Sequence, residues 1–292
     1  MEIIVAENCG PCYGVKRALK IAKETRRQRK GNVFTLGDLI HNPQVVTELK
    51  NQGIEPVENL KDIKEGTIII RSHGVSPETY QSLVQKKMEI VDATCPIVKK
   101  IQKLVGRLAK EKAEIILVGN RKHPEIKGLI GYSQKKGIIV ENETQAKDLP
   151  YKKKRVVLAQ STQDLHLFKK IVAALIEKTK ELKVYNTICL STQTRQRSTS
   201  KLASQVDILF IVGGKNSSNT NKLYHISKRI LSNTYFVEEA DEIMPIMLKG
   251  AKKVGISGGA STPPEAIKEV VLKIKNIFKH QHPRENVVQC PS

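Results

Sequence analysis

The chain has 292 residues, 39% hydrophobic and 4% aromatic with no Trp, enough for a buried core and long enough to favour several small domains over one. Its formal net charge of +21 attracts polyanions: nucleic acid, phosphorylated substrates or acidic proteins. Five widely spaced cysteines do not form a disulfide framework, no apolar run reaches the roughly 20 residues of a membrane helix, and Met1 to Asn8 lack the features of a signal peptide, so a cytoplasmic chain with reduced thiols is expected.

Taken in chain order, the elements repeat three times. A short apolar run precedes each of three cysteines: Ile3-Ile4-Val5 before Cys12, Glu89-Ile90-Val91 before Cys95, and Val184-Tyr185 before Cys189. A helix-like stretch follows, as in Ala18 to Ala22 and Ile97 to Leu108. Then come a middle strand (Asn32–Leu36, Glu114–Val118, Asp207–Val212) and a later one (Thr67–Ile70, Arg155–Leu158, Lys253–Ile256). Runs so uniformly apolar suit strands buried on both faces, and their alternation with helices implies a parallel sheet. The repeat predicts three α/β lobes, residues 1–94, 95–188 and 189–278, with a polar tail over 279–292 draped on the body.

Polar turns follow the strands: His41-Asn42-Pro43, Ser72-His73-Gly74, His123-Pro124-Glu125, Gln160-Ser161-Thr162, Asn216-Ser217-Ser218-Asn219 and Ala260-Ser261-Thr262. Several offer a cap or a proline to a helix start, where free backbone N–H groups and positive partial charge favour a phosphate. In a parallel sheet these turns share the carboxyl edge, where ligands bind. Imidazoles and hydroxyls at equivalent turns suit phosphate oxygens. Glu125, in the first turn of its helix, is placed either to complement the helix dipole or to donate a proton toward the cavity. His166 and His225 fall in helical stretches and read as structural, and His280 and His282 fall in the tail.

Three thiolates at one centre suit an iron–sulfur cluster with one iron open, and also a zinc ion with an open position; spacing does not separate the two. Cys9-Gly10-Pro11-Cys12 matches a redox dithiol, but a thioredoxin-like fold needs a full βαβ unit before that motif and only eight residues precede Cys9. A thiol–disulfide oxidoreductase using Cys9 and Cys12 is thus the lesser reading, with Cys9 a small buried hydrophobe. A basic nucleic-acid-binding protein is another lesser reading: the charge is spread along the chain, no aromatic residues interleave it, and it reads as a solvated lysine-rich surface. Gly213-Gly214-Lys215-Asn216-Ser217 is not a phosphate-binding P-loop, and no GxGxxG dinucleotide pattern occurs.

In this order and spacing, Cys12-Tyr13-Gly14-Val15, His41-Asn42, Ser72-His73-Gly74-Val75-Ser76, Asp92-Ala93-Thr94-Cys95-Pro96, His123-Pro124-Glu125, Cys189 with Arg195-Gln196, Gly214 to Asn219 and Gly259-Ala260-Ser261 resemble the LytB/IspH family of isoprenoid synthesis over essentially the whole chain. The resemblance implies a trefoil of three α/β domains, with mostly parallel sheets, around a central 4Fe–4S cluster ligated by Cys12, Cys95 and Cys189. It implies reductive dehydroxylation of 4-hydroxy-3-methylbut-2-enyl diphosphate to isopentenyl and dimethylallyl diphosphate, with the substrate hydroxyl at the fourth iron. His41, His73, His123, Thr162, Ser217, Ser218, Asn219 and Ser261 would bind this diphosphate substrate, Glu125 would relay protons, and Ser161 would be both substrate-binding and catalytic. The family usually has Thr where this chain has Ser161, which keeps the hydroxyl and loses a methyl. Electrons would come from a ferredoxin or flavodoxin, typically acidic proteins, which gives the basic surface a second use; no membrane and no nucleic acid is expected as a partner.

Overall fold

The computed structural model describes residues 2–63 and 65–281. In chain order, strand β1 (Glu2–Val5) leads to helix α1 (Tyr13–Gln28), then β2 (Val33–Leu36), α2 (Pro43–Asn51), β3 (Ile54–Val57), β4 (Thr67–Ile70), α3 (Pro77–Gln85) and β5 (Glu89–Asp92). The middle third runs α4 (Pro96–Leu108), β6 (Glu114–Val118), α5 (Pro124–Tyr132), β7 (Ile138–Val140), α6 (Glu143–Lys147), β8 (Lys152–Ala159), α7 (Leu165–Glu177) and β9 (Thr179–Tyr185). The last third runs α8 (Leu190–Ala203), β10 (Ile208–Val212), α9 (Ser218–Lys228), β11 (Thr234–Val237), β12 (Lys253–Gly258) and α10 (Pro264–Gln281). None of the described helices is long and apolar enough to cross a membrane.

The strands form three four-stranded sheets, ordered β3-β2-β4-β5, β7-β6-β8-β9 and β11-β10-β12-β1, with parallel pairing throughout. The expected α/β trefoil is therefore present. Central strands such as Ile208–Val212 are buried at every position, because helices cover both faces of the sheet.

Two expectations need correction. Ile3-Ile4-Val5 was expected to open the first lobe, residues 1–94, but β1 pairs with β12 and closes the third sheet, Ile3 lying opposite Val254. In the same way β5 and β9 close the first and second sheets, just before Cys95 and Cys189. The physical reason is continuity of burial: the strand completes one lobe, while the helix beyond the cysteine packs into the next. Val15, Ala18 and Ala22 of α1 join the first lobe's core, Ile101, Val105 and Leu108 of α4 the second's, and Leu202 and Ala203 of α8 the third's. The tail expected from residue 279 begins later, since α10 continues through Gln281, so His280 is helical; His282 and the rest of the tail lie outside the described residues.

Each sheet also has a fourth strand that the apolar pattern did not announce. These are β3, β7 and β11, short sheet edges with interrupted burial and, in β3, a proline. Edge strands need no apolar side chains on both faces, and Pro is tolerated there.

Candidate active site

Each cysteine of the repeat sits where one lobe hands the chain to the next. Cys12, Cys95 and Cys189 are the N-cap residues of α1, α4 and α8, none forms a side-chain cap bond, and all three are free thiols. They line one cavity between the lobes. Close approach is permitted by Gly14, where a Cβ would lie 2.8 Å from Cys95 Sγ. Burial pushes the Cys95 thiol up, the backbone N–H groups of Ile97 and Val98 pull against the rise, and Cys12 and Cys189 add to it.

Arg195 supports this wall. It is 4% exposed and donates from Nη1 to the Asn8 carbonyl (2.6 Å) and from Nη2 to the Gly10 carbonyl (2.7 Å), tying α8 to the loop that carries Cys12. Its Nε is buried without a partner, and its charge is felt by Cys12, Cys9 and Cys189. Cys9 lies outside the cavity and packs into the apolar core of the third lobe. Burial pushes its thiol up to about 11 against the pull of Arg195, the reverse of an activated redox thiol.

Three imidazoles line the same cavity. The ring centroids of His41 and His73 are 4.4 Å apart, those of His73 and His123 5.2 Å, and those of His41 and His123 5.7 Å. One ring nitrogen from each lies within 4.8 Å of the others, a spacing open to a metal ion on distance alone. The hydrogen bonding argues for a different ligand. His123 Nδ1 accepts the Glu125 N–H at 3.2 Å as the cap of α5, so its proton resides on Nε2, which donates rather than ligates. Burial lowers all three below the ordinary imidazole range, with Arg71 reinforcing the effect at His41, and His41 and Arg71 reinforcing it at His123, which falls to about 3. Neutral imidazole donors backed by the cations Arg71 and Lys222 make a cradle for an anion.

Glu125 is 1% exposed and heads α5. Its Oε1 accepts the Ser161 N–H at 2.7 Å and its Oε2 accepts the Ser161 hydroxyl at 2.6 Å. Burial raises its pKa, and the two Ser161 bonds oppose the rise without cancelling it. This is the condition of an acid that keeps its proton.

Hydroxyls complete the lining. Gln160 Nε2 donates to Thr162 Oγ1 (2.7 Å) and Ser218 Oγ (3.1 Å), and those two hydroxyls share a bond of 3.0 Å. Ser261 Oγ donates to the His41 carbonyl (3.1 Å) and lies 3.4 Å from Ser217 Oγ, and Ser217 caps α9. Asn219 is 4% exposed, and both its amide nitrogen and its amide oxygen are buried without a partner, as is His73 Nδ1. Buried polar atoms are normally satisfied, so unpaired donors and acceptors on a cavity wall mark a missing ligand.

Every site residue expected from the sequence therefore lines this one cavity. Sequence reasoning missed Thr192 and Ser191 on the cavity wall, the Gln160 clamp, and the charges of Arg71, Lys222 and Arg195. Gln160 stands in a polar turn and Thr192 and Arg195 follow Cys189, but nothing local tells a wall residue from its neighbours.

The donor set fits an iron–sulfur cluster. Three soft thiolates converge beside one buried cation, and among the described residues the group whose ligand atoms crowd within 4.8 Å is the histidine trio, not the thiols. A single zinc ion with Zn–S near 2.3 Å would hold three sulfurs about 3.8 Å apart; a cluster of several atoms holds its thiolates farther apart.

The LytB protein family model matches residues 3–275. The chain is 45% identical to the 4-hydroxy-3-methylbut-2-enyl diphosphate reductase of Aquifex aeolicus (strain VF5), over 96% of this chain and 98% of that one. It is 44% identical to the enzyme of the same name from Caldanaerobacter subterraneus subsp. tengcongensis, over 95% and 98%. A solved structure of (E)-4-hydroxy-3-methyl-but-2-enyl diphosphate reductase, described as the terminal enzyme of the non-mevalonate pathway, aligns at 44% identity with a TM-score of 0.67, covering 94% of this chain and all of that one. The Plasmodium falciparum reductase aligns at 28% identity with a TM-score of 0.89, covering 95% and 88%. With the match running through all three lobes and every cavity residue expected from the sequence, the chain belongs to the LytB family.

Proposed function

We propose that this oxidoreductase removes the allylic hydroxyl of 4-hydroxy-3-methylbut-2-enyl diphosphate, with two electrons and two protons, to give isopentenyl and dimethylallyl diphosphate and water, the last step of the non-mevalonate route to isoprenoids. The observation that carries this reading is the meeting of three unbonded thiols, three neutral imidazoles and a buried acid in one cavity. Cys12, Cys95 and Cys189 would hold a 4Fe–4S cluster. When bound, the cluster supplies electrons one at a time and a Lewis-acidic iron free of protein ligands.

The chain's own residues do the rest. His123 Nε2–H, the other two imidazoles and the hydroxyls of Thr162, Ser217, Ser218 and Ser261 bind the diphosphate, with Arg71 and Lys222 supplying positive field behind them. The Asn219 amide, with donor and acceptor both unpaired, orients the substrate. Glu125 delivers a proton through the Ser161 hydroxyl it already bonds, so that oxygen leaves as water. Protonation at either end of the resulting allyl unit accounts for two products. The sequence has no dinucleotide motif, so the electrons come from a separate carrier, a ferredoxin or flavodoxin. We place the enzyme in the cytoplasm, where its thiols stay reduced.

Anaerobic reconstitution with iron and sulfide tests the reading. The expected result is a brown protein with iron and sulfide bound and product formed on adding reductant and substrate. Colourless protein, or a single bound zinc, would sink it.

A further inference from the structure

The surface next to the three cysteines has an unusual composition. Large apolar side chains are exposed beside every cysteine: Tyr13 is 72% exposed, Leu190 72% and Ile97 36%. Tyr13 and Leu190 directly follow Cys12 and Cys189, and Ile97 is two residues beyond Cys95. The helices that carry them, α1, α4 and α8, converge through their N-termini, whose capping cysteines line one cavity. Ile97 and Leu190 flank a shallow groove with Cys189 and Lys100, and Gly14, next to Tyr13, abuts Cys95. Ile97 lines both this groove and the active-site cavity, whereas Tyr13 and Leu190 do not line the cavity, so substrate does not account for those two.

The helices that carry these residues are almost wholly basic, and Asp92, just before Cys95, is paired with Lys99 of α4 at 2.6 Å. Glu24 is the only acid on the three helices, it lies far along α1, and it pairs with Lys20 at 3.7 Å. Lys16, Lys20, Lys100, Lys103 and Arg197 are exposed on the same helices. An apolar centre within a basic rim is the shape of a protein interface for an acidic partner.

Building on the proposed function, we infer that Tyr13, Ile97 and Leu190, with the lysines behind them, form the docking face for a small acidic one-electron carrier protein. Each docking passes one electron from the reduced carrier to the thiol-held centre. Two such events and two protons convert the substrate's C–OH to C–H and water, leaving two oxidised carriers. The apolar residues set the short contact beside the cysteines, and the basic rim steers encounter and makes it dependent on salt.

The test uses reconstituted holoenzyme and two reductants: a reduced acidic 2Fe–2S ferredoxin, and dithionite-reduced methyl viologen, which needs no docking face. For the pair of changes Tyr13→Ser and Leu190→Ser, ferredoxin-driven turnover should fall about tenfold or more. Viologen-driven turnover and the visible absorption spectrum should stay as in the unaltered enzyme. Lys100→Glu should give a smaller loss and a shallower dependence on ionic strength. Unchanged ferredoxin-driven turnover, or an equal loss with both reductants, overturns the docking face. So does a dimer that the double change dissolves in sedimentation, which would assign the patch to a second copy. A chain ended at Gln281 that accepts ferredoxin electrons faster overturns it too, by assigning the patch to the tail. Unaltered enzyme that turns over with neither reductant fails the functional reading itself, and the docking face with it.

Discussion

The thiols and the imidazoles face one cavity, but they are held in different ways. Cys12, Cys95 and Cys189 cap their helices without a side-chain bond, placed by the backbone alone at the junctions between lobes. Elsewhere in the lining His123 and Ser217 bond helix N-termini, Ser161 bonds Glu125, and Thr162 and Ser218 bond each other and Gln160. The thiol wall should therefore lose chemistry without losing stability, while the imidazole and hydroxyl wall should lose both together.

The largest effect is expected on the thiol wall. Cys95→Ser should abolish bound iron and bring turnover down at least about a hundredfold. The metal-free variant should unfold within about 0.5 kcal/mol of the metal-free parent, since Ser keeps the size and the polarity of the cap side chain. Denaturant titration of the two metal-free proteins checks this, and a loss well above 1 kcal/mol would erase the distinction between the walls. Glu125→Gln comes next. It keeps the shape and removes the proton, so kcat should drop about 10²- to 10⁴-fold with KM little changed. Turnover near that of the unaltered enzyme would rule out the relay. Because burial raises Glu125, its acid form persists to higher pH than that of an ordinary glutamate, and kcat should fall as pH rises through the raised pKa.

A milder effect separates the walls by charge. The depressed imidazoles are neutral in the free protein, and a bound diphosphate will draw protons onto them. Pyrophosphate binding should thus take up protons and tighten as pH falls from about 8 to about 6. Calorimetry in two buffers of different ionisation enthalpy measures the uptake, and none at all would mean that the imidazoles bind as fixed neutral donors. The same shifts have a stability consequence of determinate sign. Folded-state values below the ordinary imidazole value of about 6.5 contribute stability that is present above that pH and lost as pH falls toward the folded values.

What could be read in the sequence follows the same division. The apolar runs before each cysteine and the all-apolar middle strands announce a parallel α/β repeat, because burial on both faces leaves a one-dimensional mark. The cysteines are legible because each stands at a junction the repeat defines. The partner of β1 is not: Ile3-Ile4-Val5 looks the same whether it opens the first sheet or closes the third, and only the distant register with Val254 decides. The polar turns brought His41, His73, His123 and Glu125 to notice and the resemblance gave them and Asn219 their roles, but neither showed the bond from Ser161 to Glu125 across many residues, nor the cations Arg71 and Lys222 near the imidazoles. Arg195 was visible as a motif letter, and its use emerged from the Asn8 and Gly10 carbonyls at the far end of the chain.

The smallest expected effect concerns Ser161, whose two bonds to Glu125 differ in origin. The backbone N–H bond of 2.7 Å survives any side-chain change, whereas the hydroxyl bond of 2.6 Å does not. Ser161→Ala should leave Glu125 oriented but cut its path to the substrate, for a loss of about tenfold in kcat at nearly constant KM. Ser161 is 6% exposed, so the extra methyl of a threonine has little free space, yet Thr is the usual residue here in the resembling family and keeps the oxygen. Ser161→Thr should therefore stay within about twofold of the unaltered enzyme. The pair of variants divides the two functions of the contact. If Ser161→Ala loses nothing, the proton reaches the substrate from Glu125 without the hydroxyl. If Ser161→Thr falls as far as Ser161→Ala, the position is set by packing and the methyl, not the oxygen, decides the rate.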